Sequence, residues 1–155
     1  MTTGAKLSAE QGAITITSVE GTVAIGKEVK AQDDVTLKAE SGAITTNDAV
    51  TSVAGNIEAT ALGDMDTKGA VQAQNNVTLL SEGGAITTND TVTSVAGDIK
   101  ATALGDLKSY ADVTAVAGSI EINAQGDVTT NAAVASVAGN IEATTRGKGE
   151  TNGAV

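Results

Sequence analysis

The side chains that most often carry chemistry are missing from this chain. It has no histidine and no cysteine. That removes Ser-His-Asp and Cys-His nucleophilic catalysis, and with them the usual zinc sites. No GxxxxGKS/T phosphate loop and no dinucleotide-binding fingerprint occurs. Carboxylates are what remain, 19 Asp and Glu against 9 Lys and Arg, for a formal net charge of −10. This balance disfavours a nucleic-acid partner, because phosphate binding needs clustered Lys and Arg.

Carboxylates can bind Ca²⁺ when several converge. Two pairs fall at repeating positions: Asp106 with Asp127, and Glu121 with Glu142. A cation bridging either pair would relieve the repulsion between stacked like charges. The Asp106 position, however, is held by Thr22, Ala43, Asp64 and Ala85 elsewhere in the chain. The GGxGxDxUx calcium repeat is also missing. Solvated acidic faces are the plainer expectation, and no cofactor or metal is expected. Glycoside hydrolysis would need two carboxylates flanking a groove, and short turns lead us to expect no groove. The lone aromatic, Tyr110, falls at a turn. A single exposed tyrosine needs no special role.

The elements that position these residues follow from repetition. Gly42–Asp64 (GAITTNDAVTSVAGNIEATALGD) and Gly84–Asp106 (GAITTNDTVTSVAGDIKATALGD) match at 20 of 23 positions, offset by 42. A third copy from Gly126, GDVTTNAAVASVAGNIEAT, matches the first at 15 of 19. Repeats beginning near 42, 84 and 126 thus organise residues 1–155 as one domain. Each repeat holds two rungs of about 21 residues, to judge from three apolar columns. The first is Val23, Ile44, Met65, Ile86, Leu107, Val128. The second is Val29, Val50, Val71, Val92, Val113, Val134, Val155, with Leu7 one residue out of step. The third is Ile14, Val35, Ile57, Val77, Ile99, Ile120, Ile141.

Segments such as Ile57-Glu58-Ala59 alternate inward and outward, which is the period of a strand. A helix would need apolar residues at i, i+3, i+4 and i+7, and that pattern is absent. With no Phe, Trp or Pro, the aliphatic core suits a narrow and regular interior. The expected fold is all-β: a parallel β-helix (β-solenoid) of about seven rungs, three short strands per rung. Gly, Asn and Asp cluster between segments, where left-handed backbone is expected. Asn stacked over Asn or Asp predicts side-chain amide ladders. The corner column Asn47, Lys68, Asn89, Tyr110, Asn131, Asn152 alternates, which accounts for the stronger 42-residue period.

Thr46, Thr67, Thr88, Ser109, Thr130 and Thr151 form a column that raises ice binding. Alternation turns them inward or into a corner. Their outward neighbours Thr45, Asp66, Thr87, Lys108, Thr129 and Glu150 are interrupted by charge.

The runs GAITT, VAGNIEATALGD and AQNNVTLLSEGGAIT resemble repeats of filamentous-haemagglutinin-type bacterial exoproteins, the large adhesins of two-partner secretion. The resemblance spans almost the whole chain. It implies a right-handed parallel β-helix, export to the cell surface, and roles in attachment or contact-dependent competition, with no catalytic residues to transfer. The resemblance is to the repeats alone; neither an amino-terminal secretion domain nor a carboxy-terminal effector is expected within these 155 residues. Neither end shows a polar cap, a helix or a proline, and no run suggests a signal peptide or a membrane span.

Two functional expectations follow. One is a non-enzymatic structural or adhesive rod at the bacterial cell surface or outside it, contacting neighbouring repeats and host or cell-surface ligands. The alternative is a self-assembling filament subunit stacking end to end through uncapped ends, as an extracellular fibre or in a bactofilin-like manner. An ice- or cation-binding solenoid ranks below both.

Overall fold

The computed structural model describes all 155 residues. It contains strands and turns and no helix. Three parallel sheets run its length. The first stacks Thr2–Thr3, Val23–Ile25, Ile44–Thr46, Met65–Thr67, Ile86–Thr88, Leu107–Ser109, Val128–Thr130 and Gly149–Thr151. The second stacks Leu7–Ala9, Val29–Ala31, Val50–Ser52, Val71–Ala73, Val92–Ser94, Val113–Ala115 and Val134–Ser136. The third stacks Ile14–Ser18, Val35–Ala39, Ile57–Ala61, Val77–Ser81, Ile99–Ala103, Ile120–Ala124 and Ile141–Thr145. One strand from each sheet makes a rung, and seven rungs about 4.8 Å apart span roughly 34 Å. The fold is the expected β-solenoid.

The three apolar columns are the inward faces of the three sheets. Met65 pairs with Ile44 and Ile86, Val71 with Val50 and Val92, and Val77 with Ile57 and Ile99. All nine are buried, within one core cluster that runs along the rod. Val155 departs from its column: it lies beyond the last strand of the second sheet and is exposed. The third-sheet strands are longer than the expected three-residue alternation. Each has five residues and three inward positions, as in Ile57, Ala59 and Ala61. Leu37, Ala59, Leu79, Ala101 and Ile122 share the middle position, and all are buried. Large side chains thus meet small ones across rungs, which fills the interior without aromatics.

Turn lengths explain the register. The turn from the first sheet to the second holds three residues in each of the rungs from Val23 to Thr145. The turn from the second to the third holds four after Ser52, Ser94, Ala115 and Ser136, but three after Ala31 and Ala73. The turn from the third back to the first compensates: three where the other has four, and four where it has three. The two together hold seven residues in every one of these rungs, so the first and second columns keep a strict 21-residue step. The third column alternates between 20 and 22 over Val35, Ile57, Val77 and Ile99. In the opening rung both of these turns hold four residues, which puts Leu7 one residue out of step. The 42-residue period therefore resides in turn length as well as in the Asn column.

The glycines do not play the role expected of them. Only Gly12 and Gly21 have positive φ, and no other residue type does. Most of the rest are required by close rung stacking. A Cβ on Gly118 would lie 2.1 Å from Gly97 O, and one on Gly139 would lie 2.4 Å from Gly118 O.

Candidate functional site

The structure stacks Asp106 on Asp127 in one corner, as expected, but both carboxylates are engaged with backbone. Asp106 Oδ1 accepts from Asp127 N at 2.9 Å, and Asp127 Oδ1 accepts from Lys148 N at 2.7 Å. Asp64 does the same for Ala85 N at 2.8 Å. Lys108 Nζ lies 3.6 Å from Asp106 Oδ2. Glu121 and Glu142 pair in register on the third sheet. Glu121 is held by Lys100 Nζ, 3.0 and 3.1 Å from its two oxygens, and by Asn123 Nδ2 at 2.6 Å. The hydrogen bond from Lys100, seconded by that from Asn123, draws its carboxyl below the usual carboxylate range. Glu40 acts in the opposite sense on its partner, its hydrogen bond and charge raising Lys38. Nowhere do three or more acidic side chains converge. No helix is long and apolar enough to cross a membrane.

The expected amide ladder is present in part, as Asn56 Nδ2 donates to Asp34 Oδ1 of the neighbouring rung at 3.0 Å, but most of these side chains bond backbone instead. In the corner before the third sheet, each side-chain oxygen accepts from a backbone N–H of the next rung. The chain of bonds runs Asn56 N to Asp34 Oδ1 (2.7 Å), Asn76 N to Asn56 Oδ1 (3.1 Å), Asp98 N to Asn76 Oδ1 (2.8 Å), Ser119 N to Asp98 Oδ1 (2.7 Å) and Asn140 N to Ser119 Oγ (3.1 Å). A side-chain amide bond between stacked Asn occurs at Asn152 and Asn131, 3.1 Å apart. These residues satisfy turn backbone that would otherwise depend on solvent.

A shallow depression, open to solvent, lies on the outer face of the first sheet. Asp64, Asp66 and Lys68 line it from one rung, Ala85, Thr87 and Asn89 from the next, and Tyr110 from the third. Ala85 and Thr87 are short, so the middle rung forms a trough between longer neighbours. Tyr110 is 53% exposed. Asn89 Nδ2 donates to Asp66 Oδ1 at 2.7 Å. Lys68 enters no ion pair. The sequence held both halves of this site. The outward column Thr45, Asp66, Thr87 and the corner column Lys68, Asn89, Tyr110 are each legible in the sequence, and the folded rungs set them side by side.

No family model, no curated protein and no solved structure matches the chain.

Proposed function

We propose that the chain is a non-enzymatic structural and adhesive rod of a bacterial cell-surface or extracellular protein. The observation that carries this reading is the uniformity of the rungs. Three in-register sheets, one aliphatic core and compensating turns hold a 21-residue pitch from Val23 onward. Such a stack lengthens by repetition, each added 42-residue repeat contributing about 9.6 Å. Its faces then display side chains at fixed intervals. The resemblance to exoprotein repeats supports the same reading and supplies the cell-surface location.

Antibodies raised against the purified chain test it on intact source cells. Labelling without permeabilisation is the expected result. A signal that appears only after lysis would sink the surface reading. Electron microscopy of the purified chain separates the alternative: discrete short rods accord with a shaft, whereas long threads with a ~4.8 Å axial repeat would assign it to end-to-end filaments.

A further inference from the structure

The large and small side chains that fill the interior leave a gap beside Ala101. It is a cavity of about 20 Å³, and every residue lining it is buried. Two small side chains create it. Ala101 sits in register between Leu79 and Ile122. Ser109 shares its column with Thr67, Thr88 and Thr130 and lacks their methyl group. Ala101 keeps 9% of its surface exposed although it faces inward, against 3% for Ala59 at the equivalent position. The space exceeds the roughly 10–15 Å³ that one water molecule needs. Its chemistry disfavours water all the same. Thr88 and Ser109 are the only polar residues in the lining. Thr88 Oγ1 donates to Ser109 Oγ at 2.9 Å, and Ser109 Oγ donates to Ala111 O at 2.8 Å. Both hydroxyl protons are thereby committed, and only lone pairs remain. A water there would find acceptors alone, whereas buried waters usually make about three bonds. An apolar guest gives up little hydration on entering and supplies dispersion contacts that the lining atoms lack.

We propose that this cavity binds one small apolar molecule, of the class of dioxygen, dinitrogen or a noble-gas atom. With one or two heavy atoms in contact the affinity is weak, with a dissociation constant on the order of 10 mM. The site lies inside the rod, so it is independent of what the outer faces hold and of the surface reading.

Xenon is the probe. The wild-type chain, with isotope-labelled methyl groups, is titrated with xenon gas under pressure and followed by NMR. Methyl signals of Leu79, Val113 and Ile122, which line the cavity, should shift saturably. Those of Leu62 and Leu104, exposed at corners, should not. Two variants fill the space from within. Ser109→Thr adds one methyl and copies Thr88 and Thr130, its register partners, so the fold is kept. Ala101→Val adds two methyls from the opposite sheet and covers the case in which the threonine methyl turns away. Loss of the saturable shift in either variant is the expected result. No saturable shift in the wild type, or an undiminished one in both variants, would overturn the proposal. So would magnetisation transfer from a long-lived bound water to the Ala101 or Val113 methyls, which would make the cavity a hydration site.

Discussion

Two columns of buried hydroxyls run inside this rod, and the backbone around them treats them oppositely. Ser52, Ser94 and Ser136 end strands of the second sheet, and each is tied into the following turn. Ser52 Oγ donates to Asp33 O at 2.7 Å and accepts from Gly55 N at 3.0 Å. Ser136 repeats this with Gly118 O at 2.8 Å and Gly139 N at 2.9 Å. Thr46, Thr67 and Thr130 end strands of the first sheet, and their Oγ1 atoms are buried with no partner. Turn length makes the difference. Where the turn has three residues, backbone meets backbone: Lys68 N bonds Thr46 O and Asn89 N bonds Thr67 O, each at 2.8 Å. A four-residue turn brings in an extra N–H, at Gly55, Gly97 or Gly139, and the serine accepts it. The three-residue turn after Ala73 has no such need, because Asn75 N bonds Gly55 O directly at 3.0 Å. A buried hydroxyl stabilises here only where the turn leaves a backbone group for it to satisfy.

The largest expected effect breaks a four-residue corner through its glycine. Gly118→Ala places a Cβ against the backbone of the rung below, 2.1 Å from Gly97 O, where no flexible side chain can yield. Rung stacking must open locally, at a cost of about 3 kcal/mol or more. Gly149→Ala is the matched control, since its nearest neighbour is Thr145 Cγ2 at 3.5 Å. Thermal melts should show a large fall for the first variant and little change for the second. Equal falls would mean that glycine serves here through chain conformation and not through close approach.

This contrast also shows what could be read from sequence. The columns were legible because register in a parallel stack is fixed by identical inward residues, and Val71 over Val50 announces itself. The glycines are legible as corners, but their role there is not. Recurrence at a turn looks the same whether the residue supplies positive φ or simply lacks a Cβ. The Ser-Val-Ala-Gly runs at Ser52, Ser94 and Ser136 carried the serine-to-glycine bond at i, i+3. They were visible as repeats, but the burial of the hydroxyl was not. The shallow depression beside Tyr110 is not legible in one segment because its lining residues come from three rungs, with two short residues, Ala85 and Thr87, between longer ones.

The next effect removes a satisfied hydroxyl. Ser94 Oγ lies 2.6 Å from Asn75 O and 3.1 Å from Gly97 N. Ser94→Ala should cost about 1 kcal/mol by leaving a part-buried N–H without its protein partner. It should not unfold the rod, because Ala115 already precedes a four-residue turn. Its converse, Ala115→Ser, supplies the missing oxygen and should stabilise by about 1 kcal/mol. Chemical denaturation of both variants checks the pair. A neutral Ser94→Ala would show that the hydroxyl contributes nothing beyond its volume.

The threonine column should respond with the opposite sign. Thr67→Val keeps the shape and removes an unpaired buried oxygen, so stability should rise by about 1 kcal/mol. Thr88→Val should not gain in this way. Thr88 Oγ1 donates to Ser109 Oγ at 2.9 Å, and Ser109 Oγ donates in turn to Ala111 O at 2.8 Å. If both valine variants stabilise alike, the Thr88–Ser109 bond is worth nothing in the core.

The smallest effect takes a bond between rungs to the outside of the rod. Lys100 and Glu121 are register neighbours, like the residues inside, but their side chains are 51% and 42% exposed. Solvent competes for both groups, so the pair should contribute only a few tenths of a kcal/mol. The direction of the pH dependence is fixed by the depressed Glu121 carboxyl. A carboxylate whose folded-state pKa lies below its unfolded value stabilises fully above the unfolded value and loses this as pH falls through the folded one. Wild type should therefore exceed Glu121→Gln slightly near neutral pH, with the gap closing in acid and shrinking in high salt. A gap as large as that of Ser94→Ala would mean that rung-to-rung geometry, and not burial, sets the worth of a bond. A small one places the difference between the two faces of the same sheet stack in their exposure to water.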